Sequence, residues 1–152
     1  MKKFWIAAGV FTVGLAAAGS VMAQSGLLPS TVLMREMGTT VYRNLNSIAK
    51  GDTPYDQAKV DQLLRELAVS AAKIPAAFPA SEKGKESQGS RYASSPKVWE
   101  TRADFDAKAA NMLKVVQDVQ GKPKSLADLK LAATAVNGAC DACHEPYRIR
   151  KN

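Results

Sequence analysis

The sequence predicts an all-α protein folded as an antiparallel four-helix bundle. Apolar residues recur at three- and four-residue intervals in four separate stretches, the spacing of one helix face. No stretch shows the convincing alternation of apolar and polar residues that marks a half-buried strand. Gly and Pro stand at the boundaries between the stretches, and short turns within each pair make their helices antiparallel neighbours.

The first helix starts near Pro29, whose fixed φ suits the first helical position. Met34, Met37, Val41, Leu45 and Ile48 form its stripe, and Gly51 ends it. The second runs from about Asp56 to Ile74, with Val60, Leu63, Leu67, Ala71 and Ile74 on one face. Pro75 weakens or ends it, because proline lacks an N–H and clashes one turn back. "FPASEKGKESQGSRYASS" is too poor in apolar residues to form an element and reads as the crossover between two helical hairpins. The third helix starts with Ser95 as N-cap and Pro96 in the first turn. Its stripe is Phe105, Ala109, Met112, Val116 and Val119, and Gly121 closes it. In the fourth, Ser125 caps and Asp128 puts an acid at the positive end. Its stripe of Leu126, Leu129, Ala133, Val136, Cys140, Cys143 and Tyr147 turns both cysteines of the chain toward the core.

Residues 1–23 read as a secretory signal peptide: Lys2 and Lys3, an apolar run, then small residues ending at Ala23. The competing reading is a membrane anchor, but the run is short for a span of about 20 residues and a cleavage site follows it. Removal leaves residues 24–152, one domain with one core, exported to the periplasm in a bacterium. Loss of the two lysines lowers the formal charge from +7 to +5. Basic and acidic residues are interspersed with few aromatics among them, which argues against nucleic-acid binding. The exception is a terminal cluster of Arg148, Arg150 and Lys151, a surface suited to an acidic partner protein.

"NGACDACHEPYR" holds both cysteines, Cys140 and Cys143, and the one histidine, His144. A disulfide suits an oxidising compartment, yet a loop this small adds little stability. A thioredoxin-like pair belongs at the start of a helix near a βαβ unit, not at the end of one in a helical chain. Two Cys and one His leave zinc a ligand short of a closed structural site. C-x-x-C-H is the attachment motif of c-type haem and accounts for all three side chains. Cys140 and Cys143 form the two thioethers and His144 supplies an axial bond to iron. With no second histidine, methionine is the remaining good neutral donor. Antiparallel packing brings Met34 and Met37 to the level of the motif, with Met112 in the middle of the third helix. Each has core filling as its commoner role.

Nearly all of residues 27–150 resembles the cytochrome c′ family, and within it the low-spin cytochrome c-556 branch. The resemblance is carried by "AKGDTPYDQAKVD", "IPAAFP", "RYASSPKVW" with Trp99, and "GACDACHEPYR" with an arginine four residues after the histidine. It implies one covalently attached haem c with its iron, and a carrier of single electrons rather than an enzyme, with no catalytic residues. "LMREMG" is similar to the branch's ligand segment, which implies Met34 as the second axial ligand, with Met37 beside it. The alternative is a high-spin member binding NO or CO at an open distal site. The implied partners are redox proteins of the periplasm or its membranes, and the protein itself would be a monomer or homodimer. Two departures stand out: one extra residue between Met34 and Gly51, and Pro146, where a kinked or frayed last turn is expected. Arg148, one helical turn from His144, is a further haem-adjacent candidate.

Overall fold

The computed structural model describes residues 26–151; the expected signal peptide, 1–23, lies outside them. The first bundle helix is built of three consecutive segments. These are α1 (Pro29–Arg35), a π-helical segment (Glu36–Tyr42) and α2 (Arg43–Lys50). Gly51 ends α2 with φ +87°, and the N–H groups of Gly51 and Asp52 reach back to the carbonyls of Ile48 and Ser47. That pairing satisfies carbonyls the helix leaves open, and only glycine adopts the turn without cost.

The second bundle helix is α3 (Gln57–Ala71), followed by α4 (Ile74–Ala77) with Pro75 in its first turn. The expected single helix to Ile74 is therefore split. Proline at a helix start loses no intrahelical bond, so the chain restarts there. The third is divided too: α5 (Lys97–Glu100) and α6 (Arg102–Val119) flank Thr101, whose φ of −116° and ψ of 49° are not helical. The fourth, α7, runs Leu126–Tyr147.

Neighbours run antiparallel around a closed ring. Tyr55 and Gln57 at the start of α3 bond Pro123 O beyond the end of α6. Arg102 at the start of α6 donates to Phe78 O and Pro75 O. Tyr42 donates to Asn137 Oδ1 across the first and last helices. The expected stripes line the interior: Val41, Leu45, Ile48, Val60, Leu63, Leu67, Phe105, Val116, Leu129 and Val136 are all buried.

The crossover is more ordered than its composition suggests. It carries a 3₁₀ turn (Ala80–Glu82) and a strand, β1 (Tyr92–Ser94). That strand pairs antiparallel with β2 (Arg148–Arg150). At three residues each, these strands are too short for periodicity to reveal, and they lie 54 or more positions apart.

Candidate functional site

The helix ends on the Tyr147 side of the bundle enclose a cavity of about 730 Å³. That volume falls within the roughly 300–1,000 Å³ of cofactor and small-molecule sites. Cys140, Cys143 and His144 line it from α7; Met34, Met37 and Tyr42 line it from the first helix. Met112 and Phe105 contribute from α6, and residues 89–94 of the crossover close another side. Arg148 also borders it, so all six sequence-level candidates meet at one cavity.

The side of α7 is set by periodicity. Leu129, Ala133 and Val136 anchor the stripe in the core, and two further helical steps put Cys140 and Cys143 where the core opens into the cavity. Both cysteines are free and half-buried. Burial pushes the Cys140 thiol up to about 11; the charges of Asp141 and Cys143 add to this and Arg148 opposes it. Burial likewise raises the thiol of Cys143, against the pull of Lys108. Both are therefore protonated at neutral pH, the opposite of the activated thiolate in a redox-active pair. Burial, then the positive charge of Arg148, lowers the pKa of His144, with Asp141 opposing. Its imidazole is neutral at pH 7 and keeps a lone pair for a metal.

Pro146 does not fray the helix end. The proline sits in the last turn, where it costs one bond, and α7 continues through it to Tyr147. Tyr147 is then pinned from several sides. Its carbonyl accepts from Ser95 N–H at 2.9 Å, and its hydroxyl bonds Thr101 at 3.0 Å and Asp104 at 2.5 Å. Arg148 has left the helix for β2, so it is not one helical turn above His144. Its guanidinium stacks 4.6 Å from the ring centroid of Tyr92 on the paired strand.

The two methionines of the first helix differ in setting. Met37 is 7% exposed and belongs to the core stripe with Leu33 and Val41. Met34 is half-buried, one position away from Leu33, on the side that also carries Thr31, Gly38 and Tyr42 to the cavity. Beside it Arg35 turns its guanidinium outward to Gly89 O at 3.1 Å. Met112 lies with the cysteines, its sulfur 4.0 Å from Cys140 Sγ.

The rim adds residues that sequence reasoning missed: Arg35, Arg43 and Arg91 join Arg148 there. No short motif marks them; only the pairing of β1 with β2 and the turn of the first helix bring them together. Lys151, expected in the basic cluster, is partly neutralised by Glu86 at 3.1 Å.

This donor set suits a planar group better than a bare ion. Among the described residues no three His, Cys, Asp or Glu side chains converge to hold a metal ion. The two thiols and the imidazole instead follow one another along a broad, mostly apolar cavity wall, with arginines at the rim for carboxylates. That combination of fold and side chains defines a c-type haem protein. Comparison with known proteins narrows the class. The family model described as Cytochrome C′ matches residues 31–148. The chain is 39% identical to cytochrome c-555 of Bradyrhizobium diazoefficiens over 99% of both proteins. It is 42% identical to cytochrome c-556 of Rhodopseudomonas palustris, over 88% of this chain and 90% of that one. An NMR-validated structural model of oxidised R. palustris cytochrome c556 superimposes with a TM-score of 0.70 at 40% identity, covering 81% of this chain and 95% of its own. A cytochrome c′ structure from R. palustris gives 0.72 at 31%, covering 84% and 98%. The chain belongs to the cytochrome c′ family, c-type proteins with covalently attached haem and its iron.

Proposed function

We propose that this cytochrome is a one-electron carrier whose haem is attached through Cys140 and Cys143 and ligated by His144 and Met34. The observation that carries the reading is the meeting of these four side chains at one cavity, with Met34 half-buried on the first helix and His144 neutral on α7. When bound, the haem supplies the Fe(III)/Fe(II) couple. Cys140 and Cys143 would hold it covalently as two thioethers, one from each thiol. His144 offers its lone pair from α7, and the Met34 thioether offers a soft donor that favours the reduced state. With His144 and Met34 both held toward the group, little would have to move as an electron passes, and no position would be left for a small gas. Buried Leu67, Ile74 and Phe105 along the cavity keep bulk water away. The arginines of the rim give it a positive field that favours acidic redox partners. Among the described residues no helix is long and apolar enough to cross a membrane. We propose further that residues 1–23 are removed on export and that the carrier works in the periplasm.

Expression in a host that matures c-type haem tests the reading. The purified protein should have the mass of residues 24–152 plus one haem, and a low-spin spectrum with the long-wavelength sulfur-to-ferric-iron band. Met34→Leu should abolish that band and give a high-spin spectrum that shifts with NO. A wild-type spectrum that is already high-spin would favour the gas-binding alternative. Loss of the band in Met37→Leu and not in Met34→Leu would move the ligand to Met37.

A further inference from the structure

We infer that the π-helical segment Glu36–Tyr42 takes up one residue more than an α-helix could hold there, and so keeps Met34, and not Arg35, at the iron-facing position. The inference rests on Met34 being the axial ligand.

The first helix carries a break in periodicity. Residues seven apart in an α-helix lie on nearly the same face. Seven-residue steps back from Ile48 pass Val41 and arrive at Met34; steps back from Leu45 arrive at Gly38 and Thr31. None of those three endpoints is buried. The buried residues are Met37, Leu33 and Ser30, each one position earlier. Everything before the π segment is therefore displaced by one residue relative to α2. The hydrogen bonds agree: Arg43 N–H reaches Gly38 O, five residues back instead of four. Thr39 Oγ1 donates to Arg35 O at 2.6 Å, the carbonyl its own N–H would reach in an α-helix.

As an unbroken α-helix the same chain would be rotated before this point by about 100°. Met34 would enter the core in place of Leu33, and Arg35 would take the position Met34 now holds. A guanidinium has no lone pair to give a metal. The wider turn removes that outcome with no change after Arg43, which is why Gly51 and Met34 both keep their places although 17 positions separate them.

Deleting Thr39 tests this. The first helix should close into a continuous α-helix with the same face inward, and the holoprotein should keep its sulfur-to-iron band. Adding Met34→Leu to the deletion should abolish the band. A high-spin spectrum for folded Thr39-deleted holoprotein would overturn the inference. A length-preserving variant decides the matter even if the deletion yields no holoprotein. With Met34→Leu and Arg35→Met together in the full-length chain, the spectrum should be high-spin, because position 35 is turned off the iron. A low-spin spectrum there would overturn the inference. The Met34→Leu single variant separates the two claims: if it stays low-spin, the ligand assignment itself has failed.

Discussion

Tyr147 shows how much one side chain at the cavity edge carries. Its ring meets Phe105 edge-on, with centroids 5.2 Å apart, and Phe105 meets Phe78 at 5.0 Å. The hydroxyl stays protonated, since burial first and the Asp104 carboxylate second raise its pKa. It can therefore donate to Asp104 across the α6–α7 interface. Tyr147→Phe keeps the ring and removes the hydroxyl, so urea unfolding should show a loss of about 1–2 kcal/mol. A loss below a few tenths would mean that water replaces both partners. The inward placement of this ring was legible, because Tyr147 continues the stripe of Val136, Cys140 and Cys143. The partners of its hydroxyl were not: Thr101, at the break before α6, and Asp104, on α6, lie more than 40 positions away. The C-x-x-C-H motif of Cys140, Cys143 and His144 was legible for a different reason, since it is defined by spacing within five residues.

Among the elements, α7 begins as its sequence suggests. Asp128 N–H bonds Ser125 Oγ at 3.2 Å, and the Asp128 carboxylate accepts from Lys124 N–H at 3.0 Å. The Lys124 N–H first, and the Ser125 hydroxyl second, hold the Asp128 carboxyl below its usual pKa. A carboxyl whose pKa is lower in the fold contributes stability that is complete above the ordinary aspartate value. The contribution is lost as pH falls through the folded value. Asp128→Asn should thus destabilise the protein at neutral pH and make its stability fall less steeply below about pH 4. Equal acid slopes for the two proteins would exclude this role. Caps are local and can be read from four residues. The π segment is the contrary case: the intervals from Met34 to Ile48 are all threes and fours, as in an α-helix. Only the surplus residue hinted at it, and whether a helix hides such a surplus by widening or by rotating depends on its neighbours. Pro75 announced an interruption of the second helix but not its place before Ile74, and nothing in the stripe that starts at Phe105 marks the break at Thr101.

For the whole molecule, four helices and their order follow from stripes and turns, but the shape of the cavity mouth does not. It depends on a ribbon formed between the middle of the chain and its C-terminal segment. Arg35, Arg43, Arg91 and Arg148 border the cavity, with Arg150 on β2 and the exposed side chains of Tyr92 and Ile149 on the ribbon. A positive rim with some apolar surface suits brief encounters with an acidic redox protein. Electron-transfer rates with such a partner should fall as salt is raised, and Arg148→Gln together with Arg150→Gln should flatten that fall. Rates insensitive to salt would point to a neutral contact.

The crossover loop also grips the described residues near their first and last positions. Gln88 N–H bonds Gly26 O at 3.3 Å, Leu28 N–H bonds Ser87 Oγ at 2.8 Å, and Lys151 N–H bonds Arg91 O at 2.9 Å. A purification handle placed at the proposed start of the exported chain, Gln24, or after Asn152 would begin within two residues of these bonds. A polyhistidine handle would hold imidazoles, strong donors to haem iron, within reach of the cavity. The turns at Gly51 and Gly121, at the opposite end of the bundle, are the better places to carry one.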